Sequence, residues 1–268
     1  MKLSIIITHH QTPELLKLCL KSLEDTLNNV EYEIFIADSE SQDEVQQEIK
    51  EKFPKVFFLQ STNNLGYAKI ANRAILRSKG KYIFIVNADV ITSENAIQKM
   101  LDYLDNHNDI GALGPQLINF DGTIQHSRFR FYTPMTAIYR RTLLGKLPAG
   151  KKNIARFLIS DKPLSKDNTG PYEVDWIQGS AFLTRADALE KVGVLDENFF
   201  MYFEDVDWCK RFKDKDFKVF YFPDAKMYHY HIRISYKRGN VLDLFFNKYS
   251  RVHVLSAIKF FWKHRKHK

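Results

Sequence analysis

The first hundred residues alternate between short runs of β-branched residues and longer stretches whose apolar positions recur at helical spacing. Residues 3–8 predict a strand, and Pro13 opens a helix with apolar positions three and four residues apart. Further strands are predicted at 33–37, 56–59 and 82–86, with helices after the first two of these. This rhythm predicts an α/β fold with a doubly wound, mainly parallel sheet, in which ligands bind beyond the carboxyl ends of the strands.

The alternation weakens after residue 110. A strand is predicted at 111–119, and the basic, aromatic stretch 126–172 has weak periodicity, which we interpret as a long excursion from the core. A strand at 174–184 precedes a helix from Arg185, and 218–222 and 226–231 predict two more strands. We therefore expect one domain at 1–240, divided into halves at 1–110 and 111–240, and a tail at 241–268.

Composition supports one core, and charge singles out two segments. The chain has 268 residues, 44% of them hydrophobic, and a net charge of +8. Ten Lys/Arg face two acids at 124–170, and eleven face one acid at 226–268. The second block mixes bulky apolar residues with lysine and arginine, which predicts a basic amphipathic helix within 241–268 that binds an anionic membrane surface. No nucleic-acid partner is expected, because no helix-turn-helix, zinc or RNP signature accompanies these blocks.

Apolar runs and cysteines bound the location. No stretch approaches the roughly eighteen uncharged residues of a membrane span, and the run at 3–7 is too short for a signal-peptide core. We expect a cytoplasmic protein that associates peripherally with the inner face of the cell membrane. Cys19 and Cys209 have no metal-ligand spacing and lie in apolar helical contexts, which predicts two buried thiols.

Acidic residues follow two of the predicted strands. Asp38 comes after the second strand and Asp89 after the fourth, and either could serve as an ordinary turn residue. Neither G-x-G-x-x-G after a strand nor G-x-x-x-x-G-K-[ST] occurs, so the sequence favours neither a dinucleotide-binding fold nor a P-loop enzyme.

Three more carboxylates lie among aromatic residues in the run FMYFEDVDWCKR at 200–211. If a helix begins here, free backbone N–H groups and the helix dipole stabilise one or two of the acids. Asp207 and Arg211 are four residues apart, which predicts an exposed ion pair. One acid is left without a structural role. A carboxylate among aromatic residues suits general-base work, because desolvation raises its pKa.

An ordered set of motifs connects these observations. They are I-A-D-S at 36–39, N-L-G-Y-A at 64–68, V-N-A-D at 86–89, W-I-Q-G-S at 176–180, and G-V-L-D-E at 193–197 leading into F-M-Y-F-E-D-V-D at 200–207. Over residues 3–235 the chain resembles family 2 glycosyltransferases of the GT-A fold, particularly their rhamnosyltransferase-like branch. The resemblance implies inverting transfer of a sugar from a nucleotide-diphosphate donor, with 1–110 as the nucleotide-binding half and 111–240 as the acceptor-binding and catalytic half.

The resemblance also implies roles for particular residues. Asp205 is implied as the catalytic base, with Glu204 beside it. Asp89 and a downstream histidine, for which His229 matches better than His231, are implied to hold Mg²⁺ or Mn²⁺; Asn87 stands where a D-x-D motif has its first acid. The residues implied to bind the nucleotide are Thr8, Asp38, Gly66, Asn72, Asn87 and Ala88. Those implied to bind the acceptor are Trp176, Gly179 and Ser180.

We expect the donor to be dTDP-rhamnose or a UDP-sugar, and the acceptor to be a growing cell-surface glycan or a lipid-linked oligosaccharide. A sugar nucleotidyltransferase is one alternative, but it needs a Gly-rich basic loop for a triphosphate, which residues 8–12 lack. A non-catalytic glycan-binding protein on the same fold is another. Loss of Asp205 or Asp89 would favour it, and both are present.

Overall fold

A mixed β-sheet forms the centre of the molecule. The computed structural model describes residues 1–27, 29–41, 43–160, 170–230 and 247–265. Within these residues nine strands share one sheet: β1 Leu3–His10, β2 Tyr32–Ser39, β3 Val56–Ser61, β4 Tyr82–Asn87, β5 Val90–Thr92, β6 Ile110–Ile118, β8 Tyr172–Glu173, β10 Ala181–Arg185 and β11 Lys218–His229. Two short strands pair separately: β7 Arg128–Phe129 and β9 Trp176–Ile177.

The sheet order is β3-β2-β1-β4-β10-β6-β11-β5, with β8 on β11. The strands β3, β2, β1 and β4 are parallel, as are β6 and β11, whereas β10 runs antiparallel to both of its neighbours. The direction of strand succession reverses between β1 and β4. Their carboxyl ends therefore border the crevice where doubly wound sheets bind ligands. The predicted α/β fold with a mainly parallel sheet is confirmed.

Helices cover both faces of the sheet. They are α1 Pro13–Thr26, α2 Asp43–Lys52, α3 Tyr67–Ile75, α4 Ala96–Asp105, α5 Pro134–Arg141, α6 Pro148–Phe157, α7 Ala186–Val192, α8 Glu204–Asp214 and a C-terminal helix Lys248–Lys263. One core contains the apolar sides of α1 and α4 with Ile49 of α2, and the other contains those of α3, α7 and α8. Cys19 and Cys209 are buried and free, as predicted.

The predicted strand at 174–184 is wrong. This stretch is divided among β9, β10 and irregular chain, because its backbone groups bond elsewhere: the Gln178 N–H donates to the carbonyl of Ser127, and the Gly179 N–H donates to Asp205. The two strands predicted at 218–222 and 226–231 are one strand, β11. Its register shifts between Phe222 and Lys226, around Pro223, which has no N–H to donate.

The described part of the stretch 126–172, residues 126–160 and 170–172, is more ordered than its periodicity suggests. It contains α5, a 3₁₀ helix Leu143–Lys146 and α6. The apolar positions of these elements are largely exposed, so no buried stripe marks them in the sequence. The strand β5 and the helix α4 were not predicted either.

The helix predicted within 241–268 is confirmed over Lys248–Lys263, whereas 241–246 and 266–268 lie outside the described residues, as does His231. Its inner side packs on the domain, since Ala257 and Phe260 belong to the core that contains α8. None of the described helices combines the length and the apolar character that crossing a bilayer requires.

Candidate active site

The carboxyl ends of β1 and β4 are tied to each other and to the start of β10. The Thr8 hydroxyl donates to Asn87 Oδ1 at 2.9 Å, and the Ala88 N–H donates to the Thr8 carbonyl at 3.0 Å. The Asn87 N–H donates to the Ser180 carbonyl at 2.9 Å. Three residues predicted to bind the nucleotide and one predicted to bind the acceptor therefore meet at the head of the crevice.

Asp38 lies at the end of β2, next to β1, with no exposed surface. His9 Nδ1 lies 2.5 Å from its Oδ1, and His9 Nε2 accepts a hydrogen bond from the Thr12 N–H. Because Nε2 accepts, Nδ1 carries the proton and donates to the carboxylate. The Ser41 hydroxyl donates to the same oxygen at 2.6 Å. His9 and Ser41 thus fix the Asp38 carboxylate at the edge of the crevice.

Asp89 and His229 lie together just beyond β4, although 140 residues separate them in sequence. Asp89 Oδ1 is 3.4 Å from His229 Nε2, and this buried oxygen has no hydrogen-bond partner among the described residues. His229 Nδ1 lies 2.8 Å from Gln125 Oε1, which directs Nε2 towards Asp89. A partnerless carboxylate oxygen beside an oriented imidazole suits a divalent cation. The described residues provide no group of three or more His, Cys, Asp or Glu for a metal ion.

Glu204 and Asp205 begin α8 as an adjacent pair of acids. Asp205 accepts hydrogen bonds from the N–H groups of Gly179 at 3.0 Å and Val206 at 2.8 Å. Burial raises the pKa of Asp205 to about 6, against the effect of these hydrogen bonds. Burial and the charge of Asp205 raise the pKa of Glu204 well above its ordinary value, and Glu204 Oε2 is buried without a hydrogen-bond partner among the described residues. Asp205 is therefore the acid positioned to exchange a proton near neutral pH.

Tyr67 lies between the two groups of acids. Its hydroxyl donates to the Gly179 carbonyl at 2.7 Å, so the Gly179 peptide is held by Tyr67 on one side and by Asp205 on the other. A Cβ at Gly179 would lie 3.3 Å from the Asp205 Cβ and 3.6 Å from the Tyr67 hydroxyl. Burial and the charges of Glu204, Asp205 and Asp89 raise the pKa of Tyr67. The Tyr67 hydroxyl thus lies near enough to Asp89 and to the pair Glu204 and Asp205 for the charges of all three to affect its pKa.

The turn before α3 fastens the first half of the chain to the second. Gly66 has a φ of +81°, and a Cβ there would lie 2.3 Å from the carbonyl oxygen of Phe200. That carbonyl accepts the Tyr67 N–H at 2.8 Å. The position therefore requires glycine for close backbone approach.

Asn72 makes a second link between the halves and is 1% exposed. Its Nδ2 donates to the Leu195 carbonyl at 2.9 Å and to Glu197 at 3.1 Å, and its Oδ1 accepts the Leu195 N–H at 3.1 Å. The amide is used to hold the 193–197 loop, so its predicted nucleotide contact gains no support from the fold.

The exposed ion pair predicted for Asp207 and Arg211 is wrong in its exposure. The pair exists, with 2.8 Å between Arg211 Nε and Asp207 Oδ2, but the Asp207 side chain has no exposed surface. Lys263 Nζ and His264 Nε2, which come from the end of the C-terminal helix, lie 2.7 and 2.8 Å from Asp207 Oδ1. The C-terminal helix covers the carboxylate, and hydrogen-bond donors of Lys263 and His264 take the place of water.

The ring of Trp176 is buried, with 6% of the residue exposed. It stacks on Phe129 at 4.2 Å between ring centroids, and its Nε1–H donates to the Arg130 carbonyl at 2.9 Å. Trp176 therefore supports the predicted acceptor side from inside the protein.

Comparison with known families decides what this site belongs to. Residues 4–193 match the model for Glycosyl transferase family 2. The chain belongs to glycosyltransferase family 2. This match covers Thr8 and Asn87–Asp89 and ends before α8, which begins at Glu204.

Relatives within the family include a rhamnosyltransferase. An N-acetylglucosaminyl-diphospho-decaprenol L-rhamnosyltransferase from Mycobacterium tuberculosis is 28% identical over 212 residues, covering 74% of this chain and 66% of the relative. The low-salt glycan biosynthesis hexosyltransferase Agl10 from Haloferax volcanii is 24% identical over 222 residues, covering 81% of this chain and 63% of the relative. The chain thus spans slightly less than two thirds of the length of these relatives.

Solved structures place this family 2 chain in the GT-A fold. GalNAc-T7, solved with UDP, GalNAc and Mn²⁺, superposes with a TM-score of 0.64 at 14% identity, covering 86% of this chain and 43% of the other. A mannosyltransferase from Pyrobaculum calidifontis, solved with GDP-Man and Mn²⁺, gives a TM-score of 0.61 at 13% identity, covering 99% of this chain and 64% of the other.

Three residues at the site were not predicted. Tyr67 stands in the N-L-G-Y-A motif, and a tyrosine directly after a turn beyond a strand is a signal that could have suggested it. Gln125 and His9 carry no such signal, because each acts through a partner, His229 and Asp38, that is distant in sequence.

Proposed function

We propose that this family 2 protein transfers a sugar from a nucleotide-diphosphate donor to an acceptor hydroxyl with inversion at the anomeric carbon. The observation that carries the proposal is the largely buried carboxylate of Asp205, which accepts the Gly179 N–H and whose pKa is raised by burial to about 6, in the crevice that also holds Asp89. The charges of both acids raise the pKa of the Tyr67 hydroxyl, so both acids lie near it. Such a transfer requires a base for the acceptor hydroxyl, and it requires a site that stabilises negative charge on the departing diphosphate.

Asp205 takes the proton of the acceptor hydroxyl as the hydroxyl oxygen attacks the anomeric carbon. The bond from that carbon to the diphosphate oxygen breaks, and the diphosphate leaves with the electron pair. Attack comes from the side opposite the leaving group, so the configuration inverts. Burial and the charge of Asp205 raise the pKa of Glu204, which favours its protonated form beside the base. In that form Glu204 can donate a hydrogen bond to the acceptor, and its Oε2 has no hydrogen-bond partner among the described residues.

Asp89 and His229 would hold Mg²⁺ or Mn²⁺. Two protein ligands suffice for such a site, because these ions commonly keep water and substrate phosphates as their other ligands. When bound, the cation neutralises charge on the departing diphosphate. Gln125 keeps His229 turned towards Asp89, and Asn87, which occupies the first position of the acidic motif, ties β4 to Thr8 and so fixes the approach to Asp89.

In this proposal each half of the chain binds one of the two substrates. We infer that residues 1–110 bind the nucleotide, around Asp38 and Thr8, and that 111–240 bind the acceptor, around Gly179 and Ser180. The relatedness to an L-rhamnosyltransferase supports dTDP-rhamnose as the donor, with a UDP-sugar as the next choice, and a lipid-linked glycan as the acceptor.

Association with the inner face of the cell membrane completes the proposal. The outer side of the C-terminal helix exposes Leu255, Ile258 and Trp262 by 58%, 59% and 66%. Arg265 lies 4.8 Å from the centre of the Trp262 ring. Exposed apolar residues together with cations suit an anionic lipid surface.

The test is a screen of nucleotide sugars by thermal stabilisation, with Mn²⁺ and with chelator, followed by product analysis. We expect dTDP-rhamnose with Mn²⁺ to raise the melting temperature most, because a ligand that binds only the native state stabilises it. Product analysis should show a glycosidic bond of inverted configuration and free dTDP. Formation of a sugar nucleotide from a triphosphate and a sugar phosphate would instead show a nucleotidyltransferase. Tight sugar-nucleotide binding without turnover on any acceptor would show a binding protein.

A further inference from the structure

Residues 134–157, which we call the helical insertion, carry their large apolar side chains on the outside. Five of these side chains are exposed by 43% or more: Met135, Ile138, Leu143, Leu144 and Leu147. Leu143, at 76%, is the most exposed large apolar residue in the described part of the chain. Exposed apolar residues are ordinary when scattered singly, but five within one short segment indicate an interaction surface.

The buried residues of the insertion are Thr136, Gly150 and Phe157, so two of the three are small or polar. Thr136 is 2% exposed, and its hydroxyl donates to Asn153 Oδ1 at 2.8 Å, which joins α5 to α6. A Cβ at Gly150 would lie 2.3 Å from the Leu144 carbonyl oxygen and 2.7 Å from the Gly145 Cα. Glycines thus let the 3₁₀ helix and α6 pack backbone against backbone. The leucines are displayed by a packed scaffold, which reverses the usual arrangement of a helical pair.

The charge of the insertion favours one kind of partner for its exposed apolar surface. Residues 122–160 contain eight Lys/Arg and neither Asp nor Glu. Five of these cations in the insertion are exposed: Arg140, Lys146, Lys151, Lys152 and Arg156. A bilayer with anionic headgroups matches both parts of this composition, because its interface accommodates the leucines and its phosphates attract the cations.

The insertion adjoins the catalytic acids. The Tyr132 ring, just before α5, lies 4.9 Å from the ring of Phe203, which immediately precedes Glu204. Phe157, the last residue of α6, lies 4.5 Å from the same tyrosine ring. The C-terminal helix meets this region too, since its His253 lies 5.3 Å from the Phe203 ring. Both ends of the insertion are therefore anchored next to the start of α8.

We propose that the helical insertion docks on an anionic lipid bilayer, with Leu143, Leu144 and Leu147 entering the interface and the surrounding cations contacting lipid phosphates. This deepens the proposed function, because it holds the acceptor side of Asp205 at the level of the headgroups, where a lipid-linked acceptor presents its sugar. It is a contact separate from that of the C-terminal helix.

Vesicle sedimentation of the full chain tests the docking. The protein should sediment with vesicles of phosphatidylcholine and phosphatidylglycerol. Far less of it should sediment with vesicles of pure phosphatidylcholine. The double variant Leu143→Glu with Leu147→Glu should bind the anionic vesicles about tenfold less or weaker still, because two apolar contacts are lost and two negative charges added. Leu76→Glu, which changes a leucine exposed by 73% at the end of α3, is the matched control and should bind as the native protein does.

Folding and function are checked separately. All the substituted leucines are exposed, so the circular dichroism and melting temperature should stay near the native values. Lys151→Gln with Lys152→Gln should weaken binding and reduce its salt dependence. Equal sedimentation of native protein and the Leu143/Leu147 variant overturns the proposal, as does native binding that ignores lipid charge. Transfer to a water-soluble acceptor is measured alongside. Transfer without vesicle binding defeats only the docking, and vesicle binding without transfer defeats only the proposed reaction.

Discussion

Asp207 and Lys263 lie 2.7 Å apart across the contact between α8 and the C-terminal helix. Burial opposes the ionisation of Asp207, but hydrogen bonds from His264 and Lys263 and the charge of Arg211 hold its pKa below the ordinary value. A depressed carboxylate pKa stabilises the fold above the unfolded-state pKa, and this contribution is lost as the pH falls through the folded-state pKa. The C-terminal helix is thus held on the domain by a buried charge.

Asp207→Asn should destabilise the protein by on the order of 3 kcal/mol at pH 7, because it leaves the surrounding cations without their buried partner. Urea unfolding followed by circular dichroism measures the change. Asp214→Asn on the same helix removes a more exposed partner of Lys210 and should change stability by less than about 0.5 kcal/mol. Equal effects of the two substitutions would show that the buried position of Asp207 has no special weight.

Activity should fall as the pH is lowered through about 6, the raised pKa of Asp205, because the base must be deprotonated to accept the proton. The measurement is kcat/KM for transfer across pH, with donor affinity recorded at each pH so that any titration of the metal site is seen separately. An acid limb that persists unchanged in a residually active Asp205→Asn variant would assign the titration to another group.

Asp205→Asn should lower turnover by on the order of 100-fold or more while leaving the melting temperature near normal, because asparagine has the size of aspartate and its amide oxygen can still accept an N–H hydrogen bond, but it cannot take the proton. Glu204→Gln should have a smaller effect, since glutamine still donates a hydrogen bond. Steady-state rates with one donor and acceptor compare them. A Glu204→Gln variant that is inactive beside an active Asp205→Asn variant would place the base on Glu204.

Asp89→Ala and His229→Ala should each abolish the Mn²⁺-dependent part of donor binding. Gln125→Ala should weaken metal affinity by roughly 10- to 100-fold, because it removes the group that orients the imidazole. Calorimetric titration of donor with Mn²⁺ or chelator measures both effects. Asp102→Ala on α4 is the control. If chelator affects the native protein and the Asp89→Ala variant alike, the metal lies elsewhere.

Tyr67→Phe should reduce kcat more than it raises the KM for the donor. Loss of the hydroxyl leaves the Gly179 carbonyl without its 2.7 Å donor, and the Gly179 N–H then holds Asp205 less firmly. Because a hydrogen bond to a carboxylate lowers its pKa, the acid limb of the pH–rate profile should move above about 6. Tyr103→Phe, on α4, serves as the control. A fall in activity with an unmoved acid limb would limit Tyr67 to general stability.

Local pattern was sufficient for the first four strands of the sheet and for the start of α8. The alternation of β-branched runs with helical stripes predicted β1 to β4, and strand ends located Asp38 and Asp89, because side chains at those ends face the crevice whatever lies elsewhere. Pattern failed where a residue's environment comes from distant chain. No residue close to Asp207 in sequence indicates that Lys263 and His264 cover its side chain. Likewise, the stretch 174–184 has the composition of a strand, but the N–H groups of Gln178 and Gly179 donate to Ser127 and Asp205 and not to a neighbouring strand of the central sheet.

The packing of Phe260 into the core that contains Phe203 makes the C-terminal helix one wall of the region where α8 begins. Lys263 of the same helix covers Asp207. Local unfolding of this helix would therefore expose Asp207 to water and remove that wall from the start of α8. The order of residues 203–207 thus depends on a helix that lies far from them in sequence.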